Sequence, residues 1–456
     1  MKKLFYILIF FLPVLVHAQL NLYKDSPLDY AWKNVGNAGF SAGRADYTCL
    51  AFNSSGEPYV AYMDWSNSQK ASVMKFDGIN WINVGDAGFS AGKVTYPSLA
   101  FNSSGQPYIA FGDSANSNKA TVMKFDGANW VNVGTAGFSV GGANYISLAI
   151  SSTGVPFVAY YDSGIYDKII VMRFDGNNWV SVGSSGFTAG TTFAITLVFD
   201  SSDQPYVAFE NYSGATVMKF DGNSWGVVGT PNFAYCNSWT IGLAISPSGE
   251  PYVAFRDMIV NGLVTAMKFN GTSWVTLGNQ GFSGGESSYI SLKFSPNGIP
   301  YVAFDDQLAS YRARLMRFDG DNWIDVGVAG FSKGVAMWLS LAFNSLNIPF
   351  IAYEDFGNNR KATVMKYDSV FMGINKSEES GFSIYPNPAK DKITIETSVA
   401  TKESKLSIVN IAGQELITRQ IVESKTVIDI STLPSGVYFV RVTNERTVEV
   451  GKIIKQ

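Results

Sequence analysis

The stretch Ser98 to Gly134, SLAFNSSGQPYIAFGDSANSNKATVMKFDGANWVNVG, decides the fold. It contains four short runs rich in β-branched and aromatic residues: SLAF, PYIAF, ATVMKF and WVNV. Gly, Asn, Asp and Ser separate the runs, and these residues favour turns. The stretch therefore predicts four consecutive short strands, which are called a, b, c and d below.

Variants of this unit fill most of the chain. Each d run begins with a tryptophan in the pattern W-x-x-[VL]-G, which recurs at intervals of 46 or 49 residues. The seven tryptophans are Trp32, Trp81, Trp130, Trp179, Trp225, Trp274 and Trp323. This period is too short for tandem immunoglobulin-like domains of ~100 residues. An open solenoid would need polar capping units at both ends.

The d runs are displaced by one unit relative to the a, b and c runs. Trp32 precedes the first a run, and no d run follows Tyr367-Asp368. Pairing the strand of Trp32 with the last unit would complete that unit and close a ring, which protects the edges of the end units. The sequence therefore predicts an all-β protein whose residues 19–368 form a seven-bladed β-propeller closed by its N-terminal strand. Within a blade, we expect Trp130 and its equivalents to cover the c–d turn.

Residues 1–18 have the pattern of a secretory signal peptide. Lys2 and Lys3 precede an apolar run from Leu4 to Val16, and cleavage is expected after Ala18. Because the apolar run is shorter than the roughly 20 residues needed to cross a bilayer, we expect no membrane span in the mature chain. Cleavage would also remove His17, the only histidine.

The C-terminal part has a different pattern. After a polar linker over residues 369–381, alternating apolar and polar residues over 382–456 predict a small antiparallel β-sandwich. This segment contains Y-P-N-P from Tyr385, then IVNIAGQEL, then L-P-S-G-x-Y from Leu433, and ends in GKIIKQ.

This ordered set of motifs resembles the type A C-terminal sorting domain of the Bacteroidetes type IX secretion system. The resemblance implies that residues 382–456 engage the type IX secretion machinery after the chain has reached the periplasm. It further implies removal of the sorting domain, with the cargo released or attached to surface lipopolysaccharide. We therefore expect a secreted or outer cell-surface protein.

Composition excludes several functional classes. A net charge of −3 provides no electrostatic surface for nucleic acid. A mature chain without histidine cannot use Ser–His or Cys–His nucleophiles or histidine-ligated metals. Calcium needs several clustered oxygen ligands, and DGDN at Asp319 to Asn322 is too short to supply them. We expect no cofactor, no bound metal and no nucleic-acid partner.

Two recurring features are expected at one face of the propeller, around the central channel. Carboxylates end most b strands: Asp64, Asp113, Asp162, Asp257, Asp306 and Asp355. Aromatic residues begin most a strands: Tyr47, Tyr96, Tyr145, Tyr289 and Trp338, with Phe193 and Trp239 displaced by one residue. Aromatic faces beside carboxylates suit sugars. The alternatives are that the aspartates cap their own turns and the aromatics pack structurally, or that the carboxylates bind a cation.

Blades four and five break the repeat together. Blade four has a shortened b–c loop around Tyr212, and the loop into blade five reads NFAYCNSW instead of GFSAG. An asymmetric site is therefore expected near Tyr212, Tyr235 and Trp239.

The leading hypothesis is a non-enzymatic propeller module that binds an extracellular glycan, polymer or protein. A carboxylate-dependent glycoside hydrolase or polysaccharide lyase is the second hypothesis, because paired carboxylates can cleave glycosides. A structural adhesin or matrix component without a small-molecule site is the third.

Overall fold

The computed structural model describes residues 29–188, 190–237, 240–370, 382–397, 404–410, 414–421, 423–443 and 448–456. The predicted signal peptide with Ala18, residues 371–381 of the predicted linker, and Trp239 lie outside the described residues. The chain forms two compact units. The larger unit spans Tyr30–Ser369, and the smaller one holds the described residues of Val370–Gln456 together with Asp29.

The larger unit contains β1 (Asp29–Asn34) and seven sets of strands that we number as blades. Blade one has β2 (Ala45–Phe52), β3 (Pro58–Asp64), β4 (Lys70–Phe76) and β5 (Trp81–Asn83); blade two has β6 (Val94–Phe101), β7 (Pro107–Asp113), β8 (Lys119–Phe125) and β9 (Trp130–Asn132); blade three has β10 (Ala143–Ile150), β11 (Pro156–Asp162), β12 (Lys168–Phe174) and β13 (Trp179–Ser181); blade four has β14 (Thr192–Phe199), β15 (Pro205–Asn211), β16 (Gly214–Phe220) and β17 (Trp225–Val227). Blade five has β18 (Gly242–Ile245), β19 (Pro251–Asp257), β20 (Leu263–Phe269) and β21 (Trp274–Thr276); blade six has β22 (Ile290–Phe294), β23 (Pro300–Asp306), β24 (Arg312–Phe318) and β25 (Trp323–Asp325); blade seven has β26 (Ala336–Phe343), β27 (Pro349–Asp355) and β28 (Lys361–Val370).

The N-terminal strand completes the last blade. Six blades are four-stranded antiparallel sheets with their strands in chain order, whereas the seventh has the order β1-β28-β27-β26. The N–H of Val35 donates to the carbonyl oxygen of Val364 at 2.9 Å just beyond the end of β1. Each inner strand also contacts the inner strand of the next blade, and β26 contacts β2. The prediction of an all-β, seven-bladed propeller closed by its first strand is confirmed.

Local sequence explains the strands and turns. The b strand of blade two is buried along its whole length, because blades one and three cover its two faces. Ile109 and Phe111 pack with Ala61 and Val73 of the preceding blade. Each b strand begins with proline, which lacks an N–H and fits the first position of a strand.

The tryptophan of each d strand joins neighbouring blades, which differs from the expectation that it covers its own c–d turn. The indole Nε1 of Trp130 donates to the carbonyl oxygen of Val84 in the preceding blade at 2.7 Å. Its ring stacks on Phe89, with 4.5 Å between centroids. The Trp130 side chain is buried between two blades. The Gly-Phe segment that follows the d strand of one blade packs its phenyl ring against the tryptophan of the following blade.

The smaller unit is a β-sandwich, as predicted. A sheet of β29 (Phe382–Tyr385), β30 (Lys392–Thr397) and β33 (Lys425–Asp429) faces one of β31 (Ser404–Val409), β32 (Glu415–Ile421), β34 (Gly436–Thr443) and β35 (Val448–Lys455). Alternate residues of both sheets, including Ile393, Leu406 and Val440, form one core. Within the described part of the chain, no helix has the length and apolar character needed to cross a membrane.

Candidate functional site

The predicted site residues lie at one face of the propeller, which we call the loop face. Antiparallel pairing places Ala45 opposite Asp64, and Val94 opposite Asp113. The start of each inner strand therefore lies beside the end of the second strand. Since Tyr47 follows Ala45 by two residues, the register brings the predicted aspartates and the predicted aromatics to the same face.

The six predicted aspartates cap the 3₁₀ turns that follow the b strands. Oδ1 of Asp113 accepts the N–H of Ala115 at 3.0 Å, and Oδ2 accepts from Asn116 at 2.8 Å and from Thr121 at 3.3 Å. The same cap and full burial occur at Asp64, Asp113, Asp162, Asp257, Asp306 and Asp355. Both carboxylate oxygens of each residue are bonded within the protein, so these residues fix the shape of the b–c loops.

Five of the predicted aromatics form an arc around the channel mouth, which we call the aromatic collar. Its members, in ring order, are Tyr289, Trp338, Tyr47, Tyr96 and Tyr145. Neighbouring ring centroids are 4.2 to 4.9 Å apart. Burial against the neighbouring rings raises the pKa of Tyr96. The collar is a nearly continuous aromatic surface.

Four collar residues have an unusual backbone. Tyr47, Tyr96, Tyr145 and Trp338 have φ values of 50 to 56°. The pairing register shifts directly after these residues, as between Asp46 and Cys49. This left-handed bulge disfavours side chains with a β-carbon, and it turns each ring toward the channel axis.

Among the described residues, the collar lacks an aromatic ring at blade four. Ala194, with φ of 51°, occupies the collar position of blade four, and Phe193 instead packs edge-on against Tyr212 at 5.7 Å. Tyr212 is 81% exposed and Tyr235 is 55% exposed. Among the described aromatic rings, neither contacts the collar. The structure thus places these two residues beside the opening, while Trp239 lies outside the described residues.

A charged cluster that the sequence analysis missed joins blades one and seven at the loop face. It consists of Arg44, Asp46, Glu354 and Arg360. Nε and Nη2 of Arg44 donate to the two oxygens of Asp46 at 2.6 and 2.8 Å, and Nε lies 3.4 Å from Oε1 of Glu354. Arg360 donates to the same Oε1. Two arginines therefore face two carboxylates that are almost fully buried.

Two half-exposed aromatic residues flank this charged cluster. The guanidinium of Arg44 lies 4.5 Å from the ring centre of Trp65, and that of Arg360 lies 4.7 Å from Phe356. The indole of Trp65 also donates to Oδ2 of Asp46 at 3.0 Å. Cation–π stacking of this kind holds the guanidinium planes in place.

Glu354 is the unusual member of the charged cluster. Its side chain is fully buried, and Oε2 has no hydrogen-bond partner among the described residues. Burial raises the pKa of this carboxyl to about 7, although the hydrogen bond from Arg360 opposes the shift. An unsatisfied buried carboxylate oxygen is costly.

The signal for this cluster lies one residue before each capping aspartate. Together with the matching position of blade four, it holds six different residue types in seven blades, in the order Met63, Gly112, Tyr161, Glu210, Arg256, Asp305 and Glu354. Differences between the copies were expected in the loops, whereas this position lies inside the b strand.

The channel itself encloses a cavity of about 600 Å³ lined by the inner strands. A ring of hydroxyls ties these strands together. Oγ of Ser98 accepts the N–H of Leu148 from the next blade at 3.0 Å, and Oγ of Ser147 accepts that of Leu197 at 3.0 Å. In blade one, Cys49 takes the place of serine.

The described residues contain no recognisable metal-binding site. Among the described residues, no three His, Cys, Asp or Glu side chains converge as a metal site requires.

The motifs of the smaller unit hold its two ends together. Nδ2 of Asn387, in Y-P-N-P, donates to the carbonyl oxygen of Lys452 at 2.8 Å, and Oδ1 of Asn387 accepts the N–H of Ile454 at 2.9 Å. In L-P-S-G-x-Y, the hydroxyl of Tyr438 donates to the carbonyl oxygen of Pro434 at 2.8 Å. The motif residues therefore make hydrogen bonds that stabilise the smaller unit.

Residues 383–456 match the family described as the secretion system C-terminal sorting domain. This match implies export to the cell surface or secretion. No curated protein matches the chain.

Solved structures match over most of the chain at low identity. An ulvan lyase from a polysaccharide lyase family is 11% identical, with a TM-score of 0.50 over 74% of this chain and 95% of the lyase. PorZ, a surface component of the type-IX secretion system of Porphyromonas gingivalis, is 13% identical, with a TM-score of 0.46 over 91% of this chain and 60% of PorZ. A mutant Aleuria aurantia lectin in complex with α-methyl-L-fucoside is 15% identical, with a TM-score of 0.42 over 62% of this chain and 95% of the lectin. This chain thus spans less than two thirds of PorZ, and at these identities similarity concerns the fold alone.

Proposed function

We propose that this chain is a secreted or surface-displayed propeller that binds an extracellular glycan on its loop face and is exported by the type IX system. The observation that carries the proposal is the position of the charged cluster, flanked by Trp65 and Phe356, beside the aromatic collar. No other face of the described propeller combines these features.

The chemistry of this surface suits a sugar. Aromatic rings stack on the C–H faces of a pyranose, and carboxylates and guanidiniums bond its hydroxyls. Arg44 and Arg360 present planar donors that are already oriented by ion pairs and by stacking, so little side-chain entropy is lost on binding.

The six capping aspartates have a supporting role in this proposal. Because their oxygens are bonded within the b–c loops, they would shape the site without contacting the ligand. Tyr212 and Tyr235, exposed at the open side of the collar, would extend the surface for a longer chain.

One observation favours a second candidate function, carboxylate-dependent glycoside cleavage. A carboxyl group with its pKa raised to about 7 is suited to act as a general acid, and Glu354 has this property. Because its side chain is fully buried in this structure, this function requires the charged cluster to open toward the substrate. Asp46 stays paired with Arg44 and would serve as its partner. A structural adhesin is the third candidate and would bind no glycan.

One set of variants separates these candidates. The purified secreted protein is screened on a glycan array and against polysaccharides for product release. Trp65→Ala and Arg44→Gln should each weaken glycan binding at least tenfold. Tyr166→Ala, which changes an 88% exposed aromatic on the b–c loop of blade three, is the matched control and should leave binding unchanged.

The outcomes are distinct. Product release that disappears in Glu354→Gln would establish the enzyme. If the wild-type protein neither binds a glycan nor releases a product, the structural adhesin is the remaining candidate. Binding that survives both Trp65→Ala and Arg44→Gln would show that the ligand lies elsewhere.

Export is tested separately. A chain that lacks residues 383–456 should remain inside a type IX-competent cell, whereas the full chain should reach the surface or the medium. Equal export of both chains would contradict the proposed route.

A further inference from the structure

A single lysine lines the central channel. In blade six, Lys293 occupies the second-to-last position of the inner strand. The equivalent residues of the other blades are small and apolar: Ala51, Ala100, Ala149, Val198, Ala244 and Ala342. Lys293 is the only charged residue among those that line the cavity in the described structure.

This ammonium has no counter-charge. None of the described carboxylates lies within ion-pair distance of Lys293, and no described residue accepts a hydrogen bond from it. The surrounding protein lowers its pKa, and the thiol of Cys49 is the one titratable group that opposes this shift. The Lys293 side chain is exposed within the channel, so an anion can approach it and supply the charge partner that the described residues do not provide.

The channel also supplies neutral donors. Ser98, Ser147, Ser291 and Ser340 each accept a backbone N–H from the next blade. Because each accepts through its oxygen, its own proton remains to be donated. The hydroxyl of Ser340 is hydrogen-bonded to the thiol of Cys49, and no described acceptor takes the proton of Ser98, Ser147 or Ser291. The cavity therefore combines one ammonium group with several hydroxyl donors, and such donors can together bind an anion.

We propose that the channel binds a small inorganic anion, such as sulfate or a halide, on Lys293 and the serine hydroxyls. The anion would neutralise the one charge of the channel and so stabilise the closed ring from within. Tyr289 and Lys293 are four residues apart along the inner strand, which separates the collar from this site by about 13 Å. The anion site therefore lies deeper in the channel than the collar, although Tyr47, Tyr96, Tyr145 and Trp338 line the same cavity.

The test measures the melting temperature of the full chain while sulfate or bromide replaces gluconate at constant ionic strength. Lys293→Ala restores the residue found in five other blades, and Lys293→Met keeps the length of the side chain without its charge. Lys124→Ala is the matched control, because Lys124 lies on the third strand of blade two, away from the channel.

We expect the wild type and Lys124→Ala to melt at higher temperature as the anion concentration rises, with a saturating curve. Both Lys293 variants should lose the saturating part and retain only the general effect of salt. In gluconate, they should melt at or above the temperature of the wild type. Bromide soaked into crystals should give anomalous density beside Lys293.

Equal anion responses in the wild type and the Lys293 variants would overturn the proposal. So would bromide density found away from Lys293. If one Lys293 variant does not fold, the other gives the comparison.

Discussion

The indole Nε1 of Trp32 donates a hydrogen bond to the carbonyl oxygen of Val326 at 2.9 Å, although 294 residues separate the two along the chain. Every other blade junction has the same bond, for example from Trp81 to Val35 and from Trp323 to Leu277. The junction between blades six and seven therefore has the same geometry as the others, although one of its partners comes from the opposite end of the propeller.

We predict that Trp32→Phe lowers the free energy of unfolding by about 1–2 kcal/mol, because the bond is lost and the carbonyl of Val326 stays half-buried. Trp130→Phe is the matched control within a continuous blade and should cost the same. Deletion of Asp29–Asn34 should be far more severe, since it exposes the edge of β28 to other chains. Urea denaturation and light scattering measure both effects. A deletion variant that stays monomeric and equally stable would contradict closure by this strand.

We predict that Asp113→Ala lowers the free energy of unfolding by about 1–3 kcal/mol and leaves glycan affinity unchanged, because the carboxylate caps a turn and both its oxygens are bonded internally. Asp355→Ala tests the same prediction next to the proposed site, because Asp355 makes the same capping contacts beside the charged cluster. Denaturant titration and glycan binding are measured on the same preparations. Lost affinity with unchanged stability would show that the aspartates contact the ligand.

We predict that stability falls as pH rises from about 4.5 to about 7, because the unfolded chain releases the proton of Glu354 before the folded chain does. The slope from this group is at most about 1.4 kcal/mol per pH unit. Arg44 and Arg360 oppose the shift and Asp46 adds to it, so all three set its size.

Glu354→Gln should remove this slope. Asp305, whose pKa burial raises to about 6, contributes a slope of the same sign at lower pH, and Asp305→Asn removes only that part. Urea denaturation at several pH values gives the slopes. A Glu354→Gln variant with the pH profile of the wild type would show that this carboxyl is ionised throughout.

We predict that Cys49→Ser is neutral or stabilises by a few tenths of a kcal/mol. The thiol accepts the N–H of Leu99 at 3.4 Å, where serine oxygens in other blades accept at 2.9 to 3.2 Å. Cys236 is the contrast, because it is buried with Ile241 and Phe255, and Cys236→Ser should destabilise by about 1 kcal/mol or more. Thermal melting compares the two. The opposite order would contradict the serine-like role of Cys49.

The repeat was readable from the sequence because each blade carries the same local signals. The spacing of the tryptophans and the unpaired copy at Trp32 were enough to predict seven blades and their closure. The partner of each tryptophan was not predictable, because Val84 and Trp130 meet only after the blades pack together.

The candidate site was predictable only in part. Strand register alone placed Tyr47 and Asp64 at the same face. It did not show that the aspartate oxygens turn inward or that the rings of neighbouring blades touch. Arg44 and Glu354 belong to opposite ends of the repeat array, so only the closed ring reveals that they form one cluster.

Closure by β1 also sets an order of events during synthesis. The first strand of the propeller finds its place only when β28, the last one, has left the ribosome, and roughly 330 residues of translation separate them, which makes this joining step slow. A chain halted at any earlier blade would present unpaired strands to its neighbours and invite self-association. Chaperones that keep the nascent chain unfolded, or export that is faster than folding, would therefore favour the closed propeller over aggregation.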